Sequence, residues 1–289
     1  MSQLPPLMRG KTVVVTGANS GIGKATATIL AKMRATTVLA CRDKERGEAA
    51  AAEIRAVSKN PEVHLLMLDL ASQASVRQFV RDFESRYRRL DVLVNNAGVV
   101  LAKREMTPDG LVKMFAVNYL SQFLLTNLLL PRLVASAPSR IVNVTSALHF
   151  NGHLDFKDIQ AKNHYRSSTS YAQAKLAMVL FTYELARRLR VTGVTVNCVH
   201  PGAVATGLGK KDAGLLAAVM FAAGPFLPPP EEGAETPVYL ASAPELANVT
   251  GQYFVKKKPV QSSPESYDEA EAKLLWDLSI RMTQPAPAK

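Results

Sequence analysis

Val15-Thr16-Gly17-Ala18-Asn19-Ser20-Gly21-Ile22-Gly23 sets three glycines within seven positions, directly after the apolar run Thr12-Val13-Val14-Val15. A β-branched run of that kind reads as a buried strand. Glycine at its exit means that the backbone turns sharply or that something large comes close to it. Ile22 through Leu30 then has helical composition. Strand, glycine turn and helix together bring unpaired N–H groups and the positive end of a helix dipole to one point, a ready site for a pyrophosphate. The spacing is G-x-x-x-G-x-G rather than G-x-G-x-x-G. A plain structural turn also carries such triplets, so the flanking elements decide in favour of a nucleotide.

The same alternation continues along the chain. Strands are expected at Thr12–Thr16, Thr37–Cys41, Val63–Leu68, Val92–Val94, Arg140–Val144, Val194–Val199 and Tyr253–Val255. Helices are expected at Gly23–Lys32, Glu45–Ser58, Ser72–Tyr87, Leu111–Val134 and Ala172–Arg190 between the first six, then at Glu231–Ser242 and Ser266–Met282. Such a pattern predicts an α/β fold, a doubly wound parallel sheet of about seven strands with helices on both faces. No repeat or low-complexity linker divides the chain before residue 200, so residues 1–289 are read as a single Rossmann domain.

With 289 residues, 47% hydrophobic and 20% charged, the chain has ample material for a core. No uninterrupted apolar stretch reaches the ~18 residues that would suggest a membrane span. Two cysteines, Cys41 and Cys198, make neither a disulfide framework nor a metal cluster, and a cytoplasmic setting is expected. The net charge is +11, with basic runs at Arg86–Arg89 and Lys256–Lys258. No zinc spacing, basic zipper or aromatic RNA-binding signature accompanies them, so no nucleic-acid partner is expected. A solvated basic surface is the plain reading; attraction to anionic lipid, and so peripheral membrane contact, is the other.

Two further groups carry chemistry. An acidic residue at the end of the second strand would hold the ribose hydroxyls of NAD, whereas an arginine would pair with the extra phosphate of NADP. That strand ends Val38-Leu39-Ala40-Cys41 and emerges at Arg42, so the expected cofactor is NADP(H), although Asp43 next to it leaves open an acidic residue turned inward. Tyr171-Ala172-Gln173-Ala174-Lys175 places a phenol and an ammonium on one helical face. A cation beside the phenol is expected to favour the phenolate and bring its pKa down from about 10.

Taken in order, Thr16–Gly23, Asn95-Asn96-Ala97-Gly98, Asn118, Ser146, Tyr171 with Lys175, and Pro201-Gly202 resemble the short-chain dehydrogenases/reductases. Ala40-Cys41-Arg42-Asp43, Ser146-Ala147-Leu148-His149, His200-Pro201-Gly202 and Glu232-Gly233-Ala234-Glu235-Thr236-Pro237 are similar to the retinol dehydrogenase branch of that family. The resemblance implies that Tyr171 exchanges a proton with the substrate oxygen, that Ser146 orients that oxygen, that Lys175 holds the nicotinamide ribose, and that Asn118 helps hold a relay water. It also implies cofactor contacts from Gly17, Asn19, Ser20, Gly21, Ile22 and Gly23, from Asp69 and Leu70 at the adenine, and from Asn96, Ala97 and Gly98. Pro201, Gly202, Val204 and Thr206 are implied at the nicotinamide end.

The chain departs from the family pattern at Arg34-Ala35, where Gly-Ala is usual, so the first helix ends without its glycine. Its insert from His149 to Ser170 occurs in the retinol dehydrogenase branch; His149, His153 and His164 are expected at the surface or the substrate rim, and no metal site is expected. Residues 203–230 include the apolar stretch Leu215–Phe226 and are expected to form a mobile substrate lid. The expected activity is NADP(H)-dependent interconversion of a lipophilic carbonyl, retinoid-like, and its alcohol. The competing readings are a non-catalytic NADP(H) sensor and an epimerase or dehydratase of the same family. A homo-oligomer is left open.

Overall fold

The computed structural model describes residues 5–202 and 228–284. Its centre is one sheet in the order β3-β2-β1-β4-β5-β6-β7-β8. The strands are β1 (Thr12–Thr16), β2 (Thr36–Cys41), β3 (Val63–Met67), β4 (Val92–Asn95), β5 (Ser139–Val144), β6 (Val194–His200), β7 (Tyr253–Val255) and β8 (Lys258–Val260). All neighbours pair parallel except β7 and β8. The eighth strand was not expected from the sequence. It is three residues long and exposed throughout, attached by a hairpin in which Lys256 and Lys257 both take positive φ. Three exposed residues carry no periodic signal.

Among the described residues, seven helices flank the sheet: α1 (Gly21–Lys32), α2 (Lys44–Ser58), α3 (Gln73–Arg86), α4 (Ser121–Ala135), α5 (Ser167–Arg188), α6 (Pro230–Ser242) and α7 (Glu269–Thr283). A short helical turn, Lys113–Phe115, and a π-turn, Ala116–Leu120, lead into α4. The strand residues alternate between two apolar layers. Val14 and Val38 face the layer with Phe79, Phe123 and Phe181 on α3, α4 and α5, whereas Val13, Val15 and Leu39 face Leu30, Ile54 and Leu240 on α1, α2 and α6. That is the period-two pattern of a sheet covered on both sides. Among the described residues, no helix is long and apolar enough to cross a membrane.

Strand order reverses between β1 and β4, so the connections leaving these two strands part and open a crevice at their C-terminal ends. The crevice is where a ligand belongs in this architecture, and it is where the glycine loop lies. The expected lid, 203–230, falls outside the described residues up to Phe226 and Leu227; only Pro228, Pro229 and Pro230 are seen, the last beginning α6.

The missing glycine after α1 has a structural consequence. Ala35 N–H donates to Leu30 O at 3.1 Å and Arg34 N–H to Ala31 O at 2.9 Å, the paired bonds that close a helix through a left-handed residue. Arg34 is that residue, with φ of 72°. A side chain there costs roughly 1–2 kcal/mol that glycine avoids, set against glycine's larger chain entropy and the exposed bond from Arg34 Nη1 to Lys59 O. Arg34→Gly is therefore expected to stabilise the protein by about 0.5–1 kcal/mol in urea unfolding; a lower midpoint would contradict this account of the helix end.

Candidate active site

The glycine loop is built by close approach. Gly17 and Gly21 have positive φ, 66° and 53°. Gly23 has no room for a Cβ, which would run into Asn96 Nδ2 and lie 2.5 Å from Gly17 O. Asn96 is held there because its Nδ2 donates to Thr16 O at 2.8 Å, while its N–H and that of Ala97 both donate to Thr16 Oγ1 at 2.9 Å. Thr16 thus ties the end of β1 to the end of β4 beneath the crevice. Ser20 begins α1 without a side-chain capping bond, which leaves the first N–H groups of the helix to a ligand.

The crevice is a cavity of about 560 Å3. Gly17, Asn19, Ser20, Gly21, Ile22 and Gly23 line one part of it; Arg42, Asp69 and Leu70 line the next. Asn96, Ala97, Gly98, Tyr171, Lys175 and Pro201 line the remainder. One continuous cavity therefore brings the loop after β1 together with the Tyr171–Lys175 helix. Gly202 follows Pro201 with φ of 88° but is not on the described wall, and Val204 and Thr206 lie outside the described residues.

At the end of β2, Arg42 is exposed, and Arg42 and Asp43 both line the cavity. Asp43 Oδ1 accepts from Arg46 N at 3.0 Å and so caps α2. The cap turns the first helical turn so that Arg46, also exposed, lines the same cavity beside Arg42. Sequence reading missed Arg46; the Asp43 cap three residues before it was the available signal. A cluster of two guanidiniums at this place suits an anion with several oxygens.

Tyr171 and Lys175 stand on α5, which starts at Ser167, a turn earlier than expected. Lys175 is 2% exposed. Its Nζ donates to Val144 O at 3.1 Å, its own carbonyl accepts from Thr145 Oγ1 at 2.9 Å, and its Nζ lies 5.5 Å from the centre of the Tyr171 ring. Burial pushes its pKa down to about 8. Burial also pushes the Tyr171 phenol up to about 12, against the lowering pull of a hydrogen bond with Ser146. The expected depression of the phenol therefore does not come from the protein alone. Two buried neighbours lose hydration together, and in each the charged form is disfavoured.

Ser146, half-buried at the end of β5 beside Tyr171, is not among the residues of the described wall. Its Oγ accepts from Leu148 N at 3.2 Å, capping the 3₁₀ turn Ala147–Asn151. Asn118 also lies off the wall, within the π-turn. Its Nδ2 donates to Val99 O and Met114 O, both at 2.8 Å, and its Oδ1 accepts from Val99 N at 3.1 Å. Its side chain is thus spent on gripping the backbone after Gly98, where an added Cβ would lie 2.8 Å from Asn118 Oδ1. The histidines divide. His153 and His164 are exposed, but His149 is completely buried, contrary to the expectation of a surface or rim position. A single ring between the 3₁₀ turn and the Ser263 segment carries no mark of burial in the sequence.

Val99, Val100, Leu101 and Met114 pack with Leu148, Tyr165 and Tyr171 into one apolar cluster. Tyr165 of the insert donates its hydroxyl to Leu101 O at 2.8 Å, so the insert fixes this wall beside Tyr171.

Residues 11–214 match the family model described as short chain dehydrogenase. Retinol dehydrogenase 13 of Mus musculus is 48% identical over 286 residues, covering 96% of this chain and 85% of the relative. Retinol dehydrogenase 14 of Homo sapiens is 45% identical over 291 residues, covering 95% and 87%. Among solved structures, an uncharacterised protein from Mycobacterium paratuberculosis superposes with a TM-score of 0.77 at 32% identity, over 98% of both chains. Pseudomonas aeruginosa RhlG, solved as an NADP active-site complex, gives 0.69 at 26% identity, over 87% of this chain and 96% of that one. With fold, cavity and family model in agreement, the chain belongs to the short-chain dehydrogenase family of NAD(P)-dependent oxidoreductases.

Proposed function

We propose that this protein is an NADP(H)-dependent oxidoreductase that interconverts a lipophilic carbonyl compound and its alcohol. The observation that carries the reading is the single cavity that joins the glycine loop and the Arg42–Arg46 pair to Tyr171 and Lys175. The residues fit a dinucleotide: glycines where a Cβ would fill the cradle, an uncapped helix start, and two guanidiniums one helical turn beyond. Gly17–Gly23 would hold the pyrophosphate, Asp69 and Leu70 the adenine, Asn96–Gly98 and Lys175 the nicotinamide ribose side, and Arg42 with Arg46 the 2′-phosphate. When bound, the dinucleotide supplies or accepts the hydride.

The chain's own groups handle the proton. In reduction, Tyr171 donates its phenolic proton to the oxygen that gains charge at the carbonyl, while the Ser146 hydroxyl hydrogen-bonds that oxygen and fixes its direction. Lys175, with a pKa of about 8, can replace the lost proton near neutral pH. The positive charge of an oxidised nicotinamide would add the stabilisation of phenolate that burial withholds. Asn118 holds the Val99 peptide and with it the wall; its main-chain carbonyl, which accepts from Gln122 Nε2 at 3.4 Å, is the group assigned to a relay water. The apolar cluster of Val99, Val100, Leu101 and Leu148 beside Tyr171 favours a lipophilic substrate, as do relatives named retinol dehydrogenases.

With NADPH and a panel of all-trans-retinal, aliphatic aldehydes and small polar ketones, turnover is expected to be fastest on the lipophilic members. Tyr171→Phe should lower it by about 10²–10⁴ without weakening NADPH binding. Consumption confined to polar ketones, or an active Tyr171→Phe protein, would refute the reading. Arg42→Ala and Arg46→Ala should each weaken NADPH by about tenfold or more and leave NADH unchanged, as removal of a charge-assisted bond to the extra phosphate requires. Equal effects on both dinucleotides would refute that assignment.

Lys175 gives a stability prediction with a sign. Its pKa falls from 10.5 to about 8 on folding, so its burial as a cation costs about 3 kcal/mol at neutral pH, and the cost shrinks as pH rises from about 8 toward 10.5. Lys175→Met should therefore abolish turnover yet raise stability by roughly 1–3 kcal/mol at pH 7, with a smaller gain near pH 10. A destabilised variant would contradict this account of the buried ammonium.

A further inference from the structure

His149 stands three residues after Ser146, and its ring bonds fix its protonation. Ser263 N–H, which can only donate, lies 3.1 Å from Nε2, so Nε2 carries the lone pair. Ser146 O, which can only accept, lies 2.7 Å from Nδ1, so the ring's one proton is there. Both bonds require the neutral Nδ1–H form. An imidazolium would set Nε2–H against Ser263 N–H. The Ser146 carbonyl also accepts from His149 N at 3.1 Å, so this one residue holds it twice.

The far end of the link is equally fixed. Ser263 O accepts from Ser266 N at 3.0 Å and Ser266 Oγ at 2.6 Å. Ser262 Oγ lies 2.6 Å from Ser266 Oγ and 2.6 Å from Tyr183 Oη, and Ser262 N donates to Tyr267 Oη at 3.1 Å. Tyr183 is on α5, the helix of Tyr171 and Lys175. Gly152, closing the 3₁₀ turn, packs on the same helix, where an added Cβ would lie 2.7 Å from Ala172 O. The buried bonds thus run from α5 through the Ser262–Ser263 turn and the imidazole to the main chain of Ser146.

We propose that His149 is a positioning residue for Ser146: its neutral ring anchors the Ser146 carbonyl to the Ser263 turn, so that the Ser146 hydroxyl stays aimed at Tyr171, and protonation of the ring releases it. This rests on the reading of Ser146 and Tyr171 as the pair that meets the substrate oxygen. The titratable groups around the ring are His200 at the end of β6, Tyr253 on β7 with ring centres 4.9 Å apart, and Glu265 in the turn after Ser263. Burial holds His149 below the ordinary 6.5, with the bond to the Ser146 carbonyl and then Glu265 pulling the other way, and burial and His149 both hold His200 down. The anchor is therefore intact at neutral pH and fails as pH falls through the lowered His149 value. Misplacement of a reacting group by about an ångström commonly costs on the order of 10² in rate.

The test measures kcat with NADPH and retinal, and NADPH affinity, from about pH 5 to 8 for the wild type, His149→Phe, His149→Asn and Ser146→Ala. The Phe variant should lose kcat by about tenfold or more, keep NADPH affinity within about twofold, and lack the acid limb shown by the wild type. The Asn variant, whose amide can replace Nδ1–H toward Ser146 O but offers nothing in place of Nε2 to Ser263 N, should stay slow and lack that limb; an Asn variant at the wild-type rate would overturn the Ser263 link. A Phe variant with wild-type kcat and acid limb would overturn the proposal. Ser146→Ala separates the two readings: if it too is unchanged, the assignment of the reacting pair has failed, whereas an inactive Ser146→Ala beside a normal Phe variant sinks His149 alone. Ring ¹⁵N shifts of the wild type, assigned against His149→Asn, need no turnover. They should report the Nδ1–H form at neutral pH, and an Nε2–H form would overturn the proposal outright.

Discussion

Lys175 is a buried cation with no carboxylate beside it among the described residues, and the crevice is organised around that fact. An ammonium removed from water needs its donors met. The carbonyl of Val144, at the last residue of β5, meets one of them. Thr145 fixes the helix to the strand by donating to the carbonyl of Lys175 itself. The result is a helix pinned against the open end of the sheet at one register, with Tyr171 a single turn away. A carboxylate partner would have kept the lysine fully charged; its absence brings the pKa to about 8, within reach of neutral pH. The arrangement costs stability and keeps a proton exchangeable, the compromise expected at a reacting centre.

The cradle depends on the same economy of space. Thr16 accepts three bonds that hold Asn96 and Ala97, and Asn96 in turn lies where any side chain at Gly23 would be. Gly98 lies against Asn118, which grips Val99 by both its N–H and C=O. The π-turn at Ala116–Leu120 presents Asn118 to that peptide. Each glycine in this series is required by a neighbour's position rather than by chain flexibility. Shape beneath the glycine loop is therefore set where the parallel neighbours β1 and β4 end, and the charge beyond it comes from Arg42 and Arg46 at the end of β2 and the start of α2.

Much of this was legible in the residues. Buried parallel strands are written as β-branched runs, so the first seven and the helices between them could be read directly, within a few residues at their ends. The glycine loop, Arg42 and the Tyr171–Lys175 pair, each singled out in the sequence, line one cavity. What escaped depends on contacts distant in sequence. His149 is buried by Tyr253 and held by Ser263, more than a hundred residues away, and nothing in its immediate neighbours announces that. Arg46 comes to the cavity only because Asp43 caps α2. The phenol of Tyr171 is raised rather than lowered because burial, a tertiary property, outweighs the adjacent helix position of Lys175.

In the proposed reaction this cavity directs a hydride from NADPH to a lipophilic carbonyl carbon. NADPH carrying two deuteriums at C4 of the reduced ring, incubated with the protein and all-trans-retinal, tests it by mass spectrometry of the recovered alcohol. The account predicts retinol one deuterium heavier, with the label on the carbinol carbon, formed in step with NADPH consumption. Retinal recovered unchanged, or alcohol without deuterium at that carbon, would contradict it.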